Sequence, residues 1–410
     1  MNKQKLYIVI TPFFPTLDCF RGPFVYDQVK AIERNSNYKV MVFKPTSKLH
    51  KELDYEYNGV HVYRFNTLEM PSMLFNGLMN SFNTSSFIKK IKELGIKIDD
   101  IAVTHGHTAM FAAYSLALKK LNPSIISVVQ HHDPDPFGLR SGRLTGWRFN
   151  ARFKAKKALN LFNQIDMHLC ISRYVETNLK SFPGHAPFDV DKKYLSILKK
   201  VRRLKPFVPK NTYILYNGVD TDIFYSKPIA HENFIIGCIA NIGDWKDQIT
   251  LLKAVKKLHE EGETDIKTVL IGSGPGETTC RQFINDNRLE NVIEIQKEVH
   301  HSILPEKFNT FDIFVLPSYF EGFGCVFTEA AACGIPFIGC KGQGATEYIN
   351  EDTIDDWTIT PGNFTELAAK IKKFKETPCS QRLIESFDIN ILVKRYLIEL
   401  DKLSTTLKTK

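Results

Sequence analysis

Two glutamates and a glycine-rich turn near residue 320 are the part of the sequence best suited to chemistry. Glu321 stands on a short loop, and Glu329 lies about one turn inside the run of helix formers that follows. Carboxylates accept hydrogen bonds from hydroxyl groups, so a pair at this spacing could bracket a molecule that is rich in hydroxyls. Gly322 and Gly324 allow the backbone to approach such a ligand closely. The pattern therefore predicts a binding site.

The helix expected after Gly324 would add backbone amides to this site. The first N–H groups of a helix, here beginning near Cys325 and Val326, have no acceptor within the helix. The helix dipole also favours a negative group in front of its N-terminus. Amides suited to phosphate and carboxylates suited to hydroxyls together suggest a sugar nucleotide as the ligand.

A strand and a helix must hold the loop that carries Glu321. The apolar run 311–315 predicts a buried parallel strand, residues 326–333 predict a helix, and residues 336–339 predict the next strand. The loop thus follows the carboxyl end of a strand. In open α/β sheets, ligands bind at that end.

The Glu321–Glu329 pair, with a second glycine turn at 342–344, resembles the Glu-x7-Glu signature of the family 4 glycosyltransferases, also called glycosyl transferases group 1. The spacing matches without a gap, and the resemblance is strongest over 213–362. It implies the GT-B fold, two Rossmann-like doubly wound parallel-sheet domains with the active site in the cleft between them. It also implies transfer of a hexosyl or related group from a nucleotide-sugar to a hydroxyl acceptor, with retention and with neither a metal nor a cofactor.

Chain length and element order agree with two domains. The 410 residues exceed the roughly 250–300 at which a single hydrophobic core stops growing. Strands and helices alternate in each half, which predicts doubly wound α/β domains. We predict an N-terminal acceptor-side domain over 1–220 and a C-terminal nucleotide-sugar-binding domain over 221–387. The resemblance further implies that a last helix, about 388–405, crosses back onto the first domain.

The resemblance assigns roles to individual residues. Glu321 and His132 would be catalytic, Glu329 would bind the ribose diol, and Lys246 would bind the diphosphate. Asn241 stands where the family usually has an arginine, which removes one cation and one bidentate donor from the diphosphate site. The implied donor-binding residues are Gly22, Asn241, Lys246, Gly272, Gly322, Phe323, Gly324, Cys325, Val326 and Glu329.

The segment after the predicted strand at 124–130 leaves two alternatives open. In the family a histidine here faces the donor sugar; His132 is the better match, and His131 is the alternative. Asp133 and Asp135 form a D-x-D sequence, the metal motif of the other large glycosyltransferase fold. The proline between them and the Rossmann-like pattern argue against that function, and two carboxylates make a poor Mg²⁺ site.

Composition excludes several protein classes. No apolar run approaches the ~18 residues of a membrane span, and the N-terminal apolar run ends at Thr11, too soon for a signal peptide. The eight cysteines are scattered without a C-x-x-C pair, which argues against a disulfide framework or a zinc site. A cytoplasmic enzyme is therefore expected.

Positive charge is concentrated between residues 137 and 210. This segment holds 17 Lys and Arg against 4 Asp and Glu, whereas the whole chain has a net charge of +9. Within it, residues 192–205 place apolar side chains at helical spacing beside a basic face. Such a helix suits an anionic membrane surface, so we predict peripheral binding to the inner face of the plasma membrane. The alternative is a surface helix whose apolar stripe packs on the domain.

Two other functions remain open at this point. A sugar-nucleotide epimerase can share the GT-B architecture, and a net charge of +9 would suit a nucleic-acid-binding protein. The second is less favoured because the sequence contains no nucleic-acid recognition motif. We expect a UDP- or GDP-linked donor and a carbohydrate or lipid-linked acceptor, in the assembly of surface polysaccharide or glycolipid. The sugar, the acceptor and the linkage stay open.

Overall fold

The chain, studied as a computed structural model, consists of two compact units. The first comprises Met1–Asn217 with Ile389–Lys410, and the second comprises Gly218–Asp388. The sequence predicts the boundaries between the two units at 220/221 and at about 388, and the structure divides the chain at 217/218 and at 388/389. The structure describes residues 4–16, 22–49, 52–68, 78–132, 139–140, 143–144, 157–181, 208–227 and 229–408.

An eight-stranded sheet forms the centre of the first unit. Its strands are β1 Leu6–Ile10, β2 Lys39–Ser47, β3 Tyr55–Tyr57, β4 Val60–Thr67, β5 Ile101–His107, β6 Ile126–His131, β9 Met167–Cys170 and β10 Thr212–Ile214; β7 Leu139–Arg140 and β8 Arg143–Leu144 form a separate pair. The order along the sheet is β10-β9-β6-β5-β1-β2-β4-β3. All neighbours are parallel except β3 and β4, which pair antiparallel at this edge.

Helices cover this sheet because its strands are apolar on both faces. The residues of β6 are all buried, as a parallel strand between two helical layers requires. Part of the core is aromatic: Phe87 packs edge to face against Phe43 and at a tilt against Phe65. The helices described in this unit include α1 Pro23–Asn35, α2 Asn80–Glu93, α3 Ala112–Leu121, α4 Arg173–Ser181 and the C-terminal helix Ile389–Lys408.

The second unit has a six-stranded sheet in the order β13-β12-β11-β14-β15-β16, with every neighbouring pair parallel. Its strands are β11 Phe234–Ile239, β12 Ile266–Ile271, β13 Ile293–Gln296, β14 Ile313–Val315, β15 Phe337–Cys340 and β16 Thr358–Ile359. Its helices are α5 Gln248–Glu260, α6 Glu277–Asp286, α7 Leu304–Phe308, α8 Cys325–Ala332, α9 Ile354–Trp357 and α10 Phe364–Glu376.

Some predicted features fall on residues that the structure does not describe. Asp133 and Asp135 are among them, and so is the whole amphipathic stretch 192–205. Among the helices of the described ranges, none combines the length and the apolar character needed to cross a bilayer.

Candidate active site

The predicted donor-binding residues of the second unit meet where its strand order changes direction. β11 neighbours both β12 and β14, so the chain winds outward to one side and then to the other from this strand. Ligands of doubly wound sheets bind at such a switch point, at the carboxyl ends of the strands. The loop after β11 carries Asn241 and Lys246, and the loop after β14 carries Glu321.

An ion pair joins these two loops. Nζ of Lys246 lies 2.5 Å from Oε1 of Glu321, and their side chains are only 18% and 10% exposed. An ion pair this sheltered from water is stronger than one on the surface. The structure therefore brings together two residues, 75 positions apart in the sequence, that were assigned to different parts of the donor.

Two residues absent from the predicted site hold the Glu321 loop. The buried Ser318 hydroxyl donates to Oε1 of Glu321 at 2.7 Å, and Gln343 Nε2 donates to the carbonyl of Ser318 at 2.8 Å. The backbone N–H of Gly344 donates to the Glu321 carbonyl at 3.1 Å. The second glycine turn thus anchors the first. In the sequence, only the closeness of the 342–344 turn to Glu321 indicated this contact. The hydrogen bonds themselves depend on how β14 and β15 pair.

Glu329 lies on α8 and is 6% exposed. Its Oε1 is 3.3 Å from Nε2 of His301. Its Oε2 is buried and has no hydrogen-bond partner among the described residues. Burying a carboxylate oxygen without a partner is unfavourable, and a hydroxyl of a ligand would supply the missing donor. Glu329 therefore has the geometry of a ligand-binding carboxylate.

The turn before α8 needs glycine for steric reasons. Gly324 has a φ of +73°, and a Cβ there would lie 2.6 Å from the ring of Phe327. Gly322 and Phe323 are buried beside it, and Cys325 and Val326 begin the helix half-buried. The five residues therefore occupy the N-terminal end of α8, where the sequence placed them. Their contact with a donor stays a prediction.

Gly272 allows two loops to pack backbone against backbone. It has a φ of +154°, and a Cβ would lie 1.9 Å from the carbonyl oxygen of Ala240. The N–H of Ile242 donates to the Ser273 carbonyl at 2.9 Å across the same contact. This packing accounts for the glycine without a ligand. Asn241, in the same loop, is exposed.

In the first unit, the residues around Gly22 and His132 lie close together. Gly22 has a φ of +91°, and a Cβ there would lie 2.8 Å from Cβ of Phe13. The ring of Phe24, two residues later, lies 5.1 Å from the half-buried ring of His132. Nε2 of His132 is 2.9 Å from Nδ1 of His107, and the two rings are stacked.

His131 points into the protein and has a structural role. Nε2 of His168 lies 3.1 Å from the carbonyl of Phe162, which only accepts hydrogen bonds, so this nitrogen carries the proton. Burial lowers the pKa of His168 well below its usual value, so the ring is neutral and its Nδ1 is an acceptor. Nε2 of His131, 3.0 Å away, therefore donates to it. The ring of His131 is thus engaged inside the first unit, whereas that of His132 is half-buried; which of the two faces a donor stays a prediction.

Within the described ranges, no group of three or more His, Cys, Asp or Glu side chains could hold a metal ion.

Comparisons with known proteins match this description. Residues 219–386 match the family model "Glycosyl transferases group 1". The capsular polysaccharide biosynthesis glycosyltransferase CapM of Staphylococcus aureus is 30% identical over 150 residues, which are 35% of this chain and 37% of CapM. The GDP-mannose-dependent alpha-(1-6)-phosphatidylinositol monomannoside mannosyltransferase of Mycolicibacterium smegmatis is 26% identical over 149 residues, 32% of this chain and 39% of that enzyme. The chain thus spans less than half the length of these relatives.

The fold resembles a solved structure over nearly its whole length. HepE from Anabaena, in complex with UDP and glucose, superposes with a TM-score of 0.63 at 16% identity, covering 98% of each chain. Together with the two parallel sheets, this likeness confirms the GT-B fold predicted from the sequence.

Proposed function

We propose that this chain, a member of glycosyl transferases group 1 through residues 219–386, moves a sugar from a nucleotide-sugar donor to a hydroxyl group of an acceptor. The observation that carries the proposal is the meeting of Lys246 and Glu321 at the switch point of the second sheet. A cation and a carboxylate side by side suit a molecule in which a diphosphate adjoins a polyhydroxylated ring.

Each charged residue has a distinct part of the donor to bind. Lys246 binds the diphosphate and stabilises the negative charge that develops as the nucleotide departs. Glu321 accepts hydrogen bonds from the sugar hydroxyls, beside the amides of Phe323 and Gly324. Glu329 accepts from the ribose diol through Oε2, which has no hydrogen-bond partner in the part of the chain that the structure describes. Gly22 and His132 are proposed to contact the diphosphate and the sugar, respectively.

The resemblance of the Glu321–Glu329 spacing to the family signature supports two finer proposals. The anomeric configuration of the sugar is retained, and turnover requires no metal ion. Activity that survives EDTA, with an α-linked product from an α-linked donor, would agree with both. If turnover is lost on chelation and recovers with Mn²⁺ or Mg²⁺, metal independence is wrong, and Asp133 and Asp135 become the candidate metal ligands.

Donor and acceptor are proposed from the relatives. The mycobacterial enzyme is GDP-mannose-dependent, and HepE binds UDP, which supports a UDP- or GDP-linked donor. CapM acts in capsular polysaccharide biosynthesis, and the mycobacterial enzyme is a phosphatidylinositol monomannoside mannosyltransferase. We therefore propose a carbohydrate or lipid-linked acceptor, handled by a cytoplasmic enzyme at the inner face of the plasma membrane.

A thermal-shift screen with UDP-, GDP- and ADP-sugars tests the proposal. A ligand that binds only the folded state raises the melting temperature by mass action. One nucleotide class should stabilise the wild type, and Glu329→Gln should reduce that shift. Incubation of the protein with the stabilising donor alone then separates transfer from epimerisation, because an epimerase would convert the donor sugar without an acceptor. Absence of stabilisation by any nucleotide sugar would contradict the proposed function.

A further inference from the structure

His301 contacts Glu329 from a part of the chain that lies outside the Glu-x7-Glu region. It opens the 3₁₀ turn His301–Ile303 before α7, and its Nε2 is 3.3 Å from Oε1 of Glu329. Both side chains are largely buried, at 16% and 8% exposure. The contact is thus sheltered from the water that would otherwise compete for the carboxylate.

The surroundings of His301 fix its ring. The ring of Phe224, which is 2% exposed, packs against it with centroids 5.3 Å apart. The turn itself is capped, because Nδ1 of the neighbouring His300 accepts a hydrogen bond from the N–H of Ser302 at 3.2 Å. An imidazole that packs against a buried aromatic ring and is carried on a capped turn has little freedom to reorient.

The hydrogen-bond roles follow from the chemistry of the two groups. A carboxylate oxygen only accepts, so Nε2 of His301 carries the proton and donates to Oε1. The terminal torsion of a glutamate is broad and roughly two-fold, so a free carboxylate would sample many orientations. With Oε1 held, Oε2 is left at a fixed position, buried and without a protein partner among the described residues.

We propose that His301 is a positioning residue of the nucleotide subsite, which holds one oxygen of Glu329 so that the other accepts from the ribose diol. The inference rests on the proposed function, because it takes the ligand of Glu329 to be a nucleotide. It assigns His301 no contact with the reacting atoms. Its contribution lies in keeping Glu329 oriented before the ligand arrives.

The test is calorimetric titration of the full chain with UDP and GDP. It compares the wild type with His301→Ala and His301→Gln. His231→Ala, at an exposed position, is the matched control. We expect His301→Ala to weaken binding of the preferred ribonucleotide about tenfold, or about 1.4 kcal/mol. His301→Gln keeps an N–H donor of similar reach and should stay within about threefold of the wild type. His231→Ala should bind like the wild type.

A 2′,3′-dideoxy analogue of the same nucleotide separates positioning from a general structural role. Because it lacks the diol, wild type and His301→Ala should bind it equally. Equal loss of affinity for the ribo- and dideoxy ligands would overturn the inference, and so would unchanged ribonucleotide affinity in His301→Ala. If the wild type binds no nucleotide, the proposed function fails as well; if it binds one and is insensitive to position 301, only this inference fails.

Discussion

Lys246 and Glu321 neutralise each other at 2.5 Å, although each is proposed to bind a different part of the donor. The ammonium group of Lys246 has three N–H donors, and the one that points at Glu321 is not available to a phosphate. A diphosphate must therefore compete with Glu321 for Lys246. When it succeeds, Oε1 of Glu321 becomes available for the sugar, with Ser318 still hydrogen-bonded to it.

Removing the charge of Glu321 should therefore have opposite effects on nucleotide binding and on turnover. We expect Glu321→Gln to bind the nucleoside diphosphate about threefold to tenfold more tightly, because Lys246 is released from its ion pair. Turnover should fall far more than that. Calorimetry and initial rates measure the two effects. In a Lys246→Met background the tightening should vanish; weaker binding by the single variant would argue against the competition.

Asn241, in the same loop as Lys246, offers a second test of the proposed diphosphate site. Its side chain is exposed. Lys341 is a second cation that could replace the missing arginine, but its Nζ lies 3.0 Å from Oδ1 of Asp355 and is engaged in that ion pair. We expect Asn241→Arg to tighten nucleoside diphosphate binding about fivefold or more, since an arginine adds a bidentate cationic donor. Asn241→Gln is the matched control. Unchanged affinity in the arginine variant would mean that position 241 does not face the phosphates.

At the scale of elements, the buried histidines on β5 and β9 make the first unit sensitive to acid. Burial lowers the pKa of His105 to about 3 and lowers the pKa values of His107 and His168 well below normal. In the unfolded chain the same rings protonate near pH 6.5. Below that pH the unfolded state therefore binds more protons, so the free energy of unfolding decreases as the pH falls toward the folded-state values.

We expect the first unit to lose up to about 1.4 kcal/mol of unfolding free energy per pH unit for each such histidine, between about pH 6 and pH 4. Urea denaturation at a series of pH values measures the slope. His105→Gln should reduce the slope of unfolding free energy against pH by the contribution of one histidine. His61→Gln, at an exposed position, should leave the slope unchanged. An identical slope in His105→Gln would contradict this account.

The central element of the second unit could be predicted closely from the sequence. The run 311–315 gave Ile313–Val315, and the helix formers 326–333 gave Cys325–Ala332, because apolar runs and glycine punctuation act locally. Ser318, Gln343 and His301 were not predicted as site residues. Their roles depend on contacts between side chains of separate segments, which form only when the sheet has folded. A local sequence pattern does not predict such contacts.

The first unit shows the same limit in its sheet. The antiparallel strand β3 has only three residues, Tyr55–Tyr57, which is too short for a periodicity to be recognised. His131 and His132 show the same limit of sequence-based prediction within the candidate site. Sequence alone left His131 and His132 as alternatives, because only the partner His168, 37 residues from His131, shows which ring turns inward.

At the scale of the whole molecule, the C-terminal helix completes the first unit. Its buried face is apolar at a spacing of three and four residues, and the hydroxyl of Tyr396 lies 2.8 Å from that of Tyr7 on β1. We expect Tyr396→Phe to lower the free energy of unfolding by about 0.5–1.5 kcal/mol. Deletion of 389–410 should prevent the first unit from folding, as followed by circular dichroism. A deletion variant with wild-type stability would contradict this.

The basic segment 137–210 is proposed to bind anionic membranes. Liposome co-sedimentation should require anionic lipid and should fall steeply with salt, because each Lys or Arg near such a surface contributes about 1 kcal/mol within a Debye length. Replacing Lys199, Lys200, Arg202 and Arg203 by Glu should abolish it. Equal sedimentation with neutral vesicles would reject the proposal.

The discontinuity of the first unit has a consequence for biosynthesis. Its N-terminal 217 residues leave the ribosome first, but its last helix, Ile389–Lys408, is translated only after the whole second unit. At about 5–20 residues per second, the intervening residues 218–388 take roughly ten to thirty seconds to synthesise. The second unit is contiguous and can fold during that interval, whereas the first must wait with part of its apolar surface uncovered. A premature stop codon before Ile389 would therefore damage the unit that was translated first.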